Sequence, residues 1–176
     1  MWIFAYGSLI YRPSFPYLVR RRAFLPGWVR RFWQGSPDHR GIPEAPGRVV
    51  TLVPAAGATC GGCAYRIDPA AAEEVLTILD AREVAGFERI RREVLDGPSG
   101  TPFAEAEVFV AGADNPHFLG PLAEREIAAW VRASRGPSGP NADYVLQLHD
   151  TLAGLGIEDA HVGEVARWLR QEPAAG

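Results

Sequence analysis

Lysine is missing. All 18 basic residues of this 176-residue chain are arginine, so Schiff-base chemistry on a lysine amine and phosphate-binding loops of the GxxxxGK[ST] type are excluded at once. Long apolar runs are missing too: each falls short of the roughly 18 to 20 residues that a membrane span needs. The N-terminus carries no basic region ahead of an apolar segment, the mark of an exported chain. There is also no excess of positive charge. The formal net charge is -3, so the local clusters Arg20-Arg21-Arg22 and Arg30-Arg31 do not add up to a field that would hold a phosphate backbone. These absences predict a soluble, cytoplasmic protein with neither nucleic acid nor membrane as a partner. Nothing in the sequence specifies an oligomeric state.

Cysteine is scarce. The only two form Cys60-Gly61-Gly62-Cys63, a CxxC spacing shared by redox pairs and half-zinc sites. A redox CxxC opens a helix whose N-terminus lowers the thiol pKa, whereas this one runs into Ala64-Tyr65-Arg66-Ile67, which alternates like a strand. Zinc would need two further ligands, and His39, His117, His149 and His161 are scattered singly. The expectation is two reduced, buried thiols at a turn.

What is present is a chain long enough, at 47% hydrophobic, to bury about two-thirds of its unfolded surface in one domain over 1–176. Strand patterns come first: Trp2 to Tyr6, Ala23 to Gln34, Arg48 to Val53, Cys63 to Ile67, Glu88 to Leu95 and Glu105 to Ala111. Helical patterns dominate the last third: Pro121 to Ser134, a helix capped by Asn141 through Leu152, and Glu158 to Gln171. Gly136 to Pro140 reads as a loop between two of them. One more helix lies among the strands, from Pro69 to about Ala85, ended by Gly86. Strands early and helices late predict an α+β fold.

That inner helix holds the most informative position. At about 100° per residue, Glu83 falls between Leu79 and Leu76 on the arc that Val75 begins, so a carboxylate is aimed at the core. A buried carboxylate is costly unless paired or kept neutral. Two readings follow: an ion pair with Arg82, Arg89 or Arg91, or a carboxyl whose raised pKa suits general acid and base work near neutrality. A second cluster, Asp38-His39-Arg40, stands in a glycine- and proline-punctuated loop, either a solvated turn or a binding loop. A Ser8, His39, Asp38 triad is unattractive: Ser8 lacks the GxSxG elbow, and Asp38 adjoins His39 in sequence.

Four stretches in order, "FAYGSLI", "GSPDHRG" with "PGRVVTL", "LDAREVAGF" and "SGPNADYVLQL", resemble the ChaC family of glutathione-specific γ-glutamylcyclotransferases. The likeness runs from Met1 to about Leu155. It implies a compact mixed β-barrel with packed helices of the γ-glutamylcyclotransferase type. It also implies a lyase that splits glutathione, its small-molecule substrate, into 5-oxoproline and cysteinylglycine without metal or organic cofactor. The family's catalytic glutamate falls on Glu83. Its substrate loop falls on Ile3, Phe4, Ala5, Tyr6, Gly7, Ser8 and Leu9, and its later tyrosine on Tyr144 behind Asn141. Tyr11, Phe87 and Val84 depart from the family's usual residues, which bears on the wall that receives the leaving group. Two other outcomes stay open: a cyclotransferase for another γ-glutamyl amine or peptide, and a non-catalytic module that binds a γ-glutamyl ligand. Arg40, Arg48, Arg82 and Arg89 are the candidates to meet a substrate carboxylate.

Overall fold

Five strands, β1 (Trp2–Ala5), β2 (Val19–Ser36), β3 (Gly47–Arg66), β4 (Glu88–Leu95) and β5 (Pro102–Val110), close into a barrel in the order β1-β3-β2-β4-β5. The computed structural model describes residues 1–83 and 86–171. Neighbouring strands are antiparallel except at the closure, where β1 meets β5 in parallel with Ile3 opposite Glu107. Helix α1 (Ala72–Arg82) links β3 to β4. After β5, α2 (Glu124–Ala133), α3 (Asn141–Gly154) and α4 (Ala160–Arg170) pack on one another and against β2 and β3. Among the described residues, no helix is long and apolar enough to cross a membrane.

The strand patterns and the helical last third match this α+β arrangement, with three local differences. The two strands expected at Arg48 to Val53 and Cys63 to Ile67 are one, because β3 keeps pairing with β2 across a bulge between Pro26↔Thr59 and Trp28↔Pro54. Cys60 to Cys63 therefore lies within a strand and not at a turn. Its glycines serve close approach: a Cβ on Gly62 would stand 2.2 Å from the Ala5 carbonyl oxygen of β1. Both thiols are buried and unpaired, and burial pushes Cys60 up to about 11. The stretch from Gly136 to Pro140, expected as a loop, begins and ends in a short hairpin, β6 (Arg135–Gly136) with β7 (Gly139–Pro140).

Asn141 does not cap α3. Pro140 holds the cap position, and Asn141 is the first helical residue, fully buried. Its side-chain amide donates to the Arg48 carbonyl at 2.9 Å and accepts from the Arg48 N–H at 2.7 Å, as a neighbouring strand would. This docks the start of α3 on β3. Tyr144, three residues on and on the same helix face, is thereby brought to Val50 of β3, whose N–H donates to its hydroxyl at 3.3 Å.

Arg30 of β2 joins the ends of three other segments. Its guanidinium is fully buried and donates to the Tyr6 carbonyl at 2.7 Å, to the Gly61 carbonyl, and to Asp159 at 2.8 Å. Asp159 in turn caps α4, accepting from the Val162 N–H at 3.1 Å. A buried cation is tolerable only with such partners, and removing one of a buried pair typically costs about 3–5 kcal/mol. Asp159→Asn retains a capping oxygen but deletes the counter-charge. We expect a loss near the low end of that range, about 3 kcal/mol, measured by urea unfolding. A change below about 0.5 kcal/mol, typical of a neutral surface substitution, would show that Arg30 does not depend on this anion.

Candidate active site

The segment after β1 is built so that its carbonyls are occupied and its amides are not. Tyr6 ends the run, its carbonyl held by Arg30 and its hydroxyl donated to the Phe109 carbonyl at 2.6 Å. Gly7 leads into a 3₁₀ turn, Ser8–Ile10. The Gly7 carbonyl accepts from Ile10 N–H at 3.0 Å, and the Ser8 carbonyl accepts from Arg12 N–H at 2.8 Å. The Leu9 carbonyl accepts from the Tyr65 hydroxyl at 2.8 Å, and the Ile10 carbonyl from Arg20 at 2.9 Å. Among the described residues, no acceptor meets the N–H groups of Gly7, Ser8 and Leu9. Three unpaired amides in succession form a concavity for an anion or an oxyanion. Glycine permits a close approach at the centre: a Cβ on Gly7 would lie 3.2 Å from both the Tyr144 hydroxyl and a Val50 methyl, each of which would have to give by a few tenths of an ångström.

These residues line a cavity of about 350 Å³ together with Glu83, Arg82, Phe87, Tyr144 and the loop holding Asp38, His39 and Arg40. That volume lies in the range of small-ligand pockets. Of the expected loop, Phe4, Ala5, Tyr6, Gly7, Ser8 and Leu9 reach the cavity. Ile3 does not: it is fully buried in the barrel wall, paired with Tyr65 and Glu107. The 36–40 loop is therefore a cavity wall, although its His39 side chain is also exposed to solvent. Its fold is local, since the Ser36 hydroxyl accepts from the N–H groups of His39 at 3.3 Å and Arg40 at 3.1 Å. Among the departures from the family pattern, Phe87 lies on the cavity wall, and Val84 falls outside the described residues.

Glu83 reaches this cavity by leaving the helix. The expected helix through Ala85 stops at Arg82; Ala85 itself lies outside the described residues. Glu83 is the C-cap, with its N–H still bonded to the Leu79 carbonyl at 2.8 Å and its side chain 18% exposed. Burial, above all, holds its carboxyl above the usual carboxylate range; the Arg82 guanidinium pulls it down, and the Asp38 carboxylate pushes it up. Of the three arginines expected as ion-pair partners, only Arg82 approaches, at 3.5 Å. Arg82 is shared, donating to the Ser8 hydroxyl at 2.8 Å and so tying the 3₁₀ turn to the end of α1. Arg89 and Arg91 are turned to Glu107, at 3.9 and 2.7 Å.

Burial also raises the phenols of Tyr6 and Tyr144, with the Glu83 charge adding to both. Both remain neutral at physiological pH. The Tyr144 hydroxyl accepts from Val50 and so keeps its own proton for an acceptor in the cavity. Sequence reasoning did not reach Arg12, Val49, Val50 and Phe109, which also line the cavity. Three of these belong to strands, where a cavity-facing residue carries the same pattern as one packed in the barrel. Among the described residues, no group of three or more His, Cys, Asp or Glu side chains is placed to hold a metal ion.

This arrangement makes a signed electrostatic prediction. Asp38→Asn removes a neighbouring negative charge and moves the Glu83 titration to lower pH, whereas Arg82→Gln moves it to higher pH. Carboxyl-labelled glutamate followed by ¹³C NMR reads both. No displacement in the first variant would mean that Asp38 and Glu83 do not share a field.

Comparison with known proteins agrees with the fold. Residues 1–172 match the model of the ChaC-like protein family. The chain is 39% identical over 178 residues to the Arabidopsis thaliana protein named γ-glutamylcyclotransferase 2-3, covering 97% of this chain and 88% of the relative. It is 39% identical over 171 residues to the human protein named glutathione-specific γ-glutamylcyclotransferase 1, covering 94% and 76%. The crystal structure of a yeast γ-glutamyl cyclotransferase described as specific to glutathione superposes with a TM-score of 0.88 at 30% identity, covering 96% of this chain and 95% of that one. A barrel of this order, carrying a raised-pKa glutamate opposite unpaired turn amides and matched along nearly its whole length, belongs to the ChaC-like family.

Proposed function

We propose that this chain is a glutathione-degrading γ-glutamylcyclotransferase with Glu83 as its general acid and base. The observation that carries the reading is that Glu83, with its elevated pKa, opens onto the same cavity as the unpaired amides of Gly7, Ser8 and Leu9. The names and extent of similarity of the relatives support glutathione as the substrate.

The chemistry suits these residues because the substrate supplies its own nucleophile. The α-ammonium of the γ-glutamyl group loses a proton to Glu83, and the amine attacks its own side-chain carbonyl carbon. A C–N bond forms, a five-membered ring closes, and the carbonyl oxygen takes up negative charge. The unpaired turn amides stabilise that oxygen. The tetrahedral centre then expels the cysteine nitrogen. Two protons leave the attacking nitrogen and two reach the departing one, with Glu83 as the relay. The products are 5-oxoproline and cysteinylglycine, with no water consumed, so the enzyme is a carbon–nitrogen lyase. No lysine, serine or cysteine nucleophile is needed. Holding the folded conformer for an intramolecular attack contributes on the order of 7–11 kcal/mol when alignment is good. Tyr144, kept neutral by burial and accepting from the Val50 N–H, donates its hydrogen bond to the glutamyl head, whereas the Tyr6 proton is already held by the Phe109 carbonyl.

Incubation with glutathione is expected to release 5-oxoproline and cysteinylglycine in equal amounts. Glu83→Gln is expected to lower kcat by roughly 10²- to 10⁴-fold, the usual worth of a general acid/base, while retaining glutathione binding by calorimetry. A variant within a few-fold of wild type would remove Glu83 from the mechanism. The same substitution has a stability signature. A carboxyl whose folded pKa is raised contributes stability that is present below the unfolded value, near 4.3, and lost as pH rises through the folded one. Glu83→Gln therefore stabilises the chain more at pH 8 than at pH 4, as read from urea midpoints of both proteins. Equal gains at the two pH values would contradict a raised Glu83 pKa.

A further inference from the structure

The arginines of this protein are consumed in different ways, and one of them is not consumed. Arg30 has Asp159, and Arg48 lies away from the cavity with its guanidinium on the carbonyls of Phe32 and Gly120 at 2.9 Å. Arg82 is divided between Glu83 and Ser8. Arg40 is buried at 8% exposure and lines the cavity, yet it has a single carbonyl partner, Pro140 at 3.0 Å. No carboxylate among the described residues lies within ion-pair distance of it. Its guanidinium stands 5.6 Å from the Tyr144 ring centre, and the Tyr144 hydroxyl lies beside Gly7. The Tyr11 hydroxyl is buried beside Arg40, the cation that acts on it most, but Tyr11 does not line the cavity.

A buried cation without an anion is costly, and a ligand carboxylate in the cavity would supply one. The cavity is also polarised. Asp38, held by the Ser36 hydroxyl at 3.2 Å, sits two residues from Arg40 on the same loop and shares a field with Glu83. Negative and positive groups side by side match an α-amino-acid head, whose ammonium and carboxylate are attached to one carbon. The other carboxylate of a γ-glutamyl tripeptide lies at the far end of the molecule, several bonds from the reacting carbonyl.

We propose that Arg40 holds the α-carboxylate of the γ-glutamyl substrate, while Asp38 and Glu83 face its ammonium. This rests on the glutathione reading above. It leaves the amides of Gly7, Ser8 and Leu9 to the developing oxyanion. The guanidinium thus sets which carbon bears the attacking amine and how that amine is aimed, a specificity role distinct from the proton transfer of Glu83.

The test compares wild type, Arg40→Gln and Arg40→Lys on three substrates. They are glutathione, 4-aminobutyryl-cysteinylglycine, which lacks only the α-carboxylate and closes to 2-pyrrolidinone, and glutathione amidated at its glycine carboxylate. For glutathione and the glycine amide, Arg40→Gln is expected to lose roughly ten- to hundredfold in kcat/KM, the range for a hydrogen bond to a charged group. On the 4-aminobutyryl analogue the variant should equal wild type within about twofold, because the partner is already gone. Arg40→Lys is expected to recover part of the loss, keeping the charge without the planar fork. A loss of equal size on all three substrates overturns the proposal in favour of a structural role through Pro140. A loss that vanishes on the glycine amide instead overturns it in favour of the opposite end of the tripeptide. Wild-type turnover tests the glutathione reading by itself. If turnover is absent but calorimetric glutathione binding weakens in Arg40→Gln, that reading fails and this subsite stands; if wild type neither turns over nor binds glutathione, both fail.

Discussion

The buried Arg30 guanidinium is the constraint from which the site follows. It stands inside the barrel with donors aimed at the end of β1, at β3 and at the cap of α4, segments 24, 31 and 129 residues away in the chain. Desolvating an arginine this fully is unfavourable, and only the simultaneous presence of two carbonyls and a carboxylate makes it tolerable. Each partner is thereby fixed by the others. The Tyr6 carbonyl is pinned at the point where β1 stops pairing, so the chain turns at Gly7 under an imposed geometry and not a free one. Asp159 carries the same constraint outward into α4.

Given that pin, the polarity of the turn is a matter of hydrogen-bond accounting. Every carbonyl from Tyr6 to Ile10 is engaged by another group of the protein: Arg30, the backbone amides of Ile10, Tyr11 and Arg12, Tyr65 and Arg20. The N–H groups of Gly7, Ser8 and Leu9, three residues that line the cavity, are left without an acceptor among the described residues. Backbone donors arranged in advance need little reorganisation when negative charge develops, which is why they stabilise an oxyanion better than mobile water does. The close approach of Tyr144 and Val50 to Gly7 holds the turn from its other face.

Much of this was legible in the sequence, and the failures are instructive. The alternation in Glu88 to Leu95 gave the strand limits that the structure has. Two glycine signals misled: Gly61 and Gly62 resemble turn formers, but they lie in β3, where a Cβ would run into Ile157 and Phe24 at Gly61 and into β1 at Gly62. Spacing cannot separate a glycine needed for bending from one needed for proximity. Asn141 resembled a helix cap because asparagine favours that position, yet its amide is spent on another strand. Glu83 was marked by its place on an apolar arc, which correctly signalled a desolvated carboxylate. The helical extrapolation failed one residue earlier, and the side chain borders a cavity instead of packing between leucines. Arg30 was invisible, since one arginine among 18 gains its meaning from partners distant in sequence.

The position of Arg82 reconciles two demands on Glu83. The proposed general acid and base role calls for a pKa above the ordinary carboxylate range, and burial shifts Glu83 in that direction. Burial alone, however, would also strip the carboxylate of the interactions that keep it aimed. A close, bidentate guanidinium would aim it well but hold it ionised and weakly basic. Arg82 does neither fully: at 3.5 Å it approaches Glu83 through one nitrogen, while its other end is committed to Ser8 at 2.8 Å. The sharing leaves Glu83 with a net upward shift despite an adjacent cation. It also ties Glu83 to the 3₁₀ turn, so the separation between the proposed proton relay and the unpaired turn amides is set by a side chain to which the proposed mechanism gives no proton transfer.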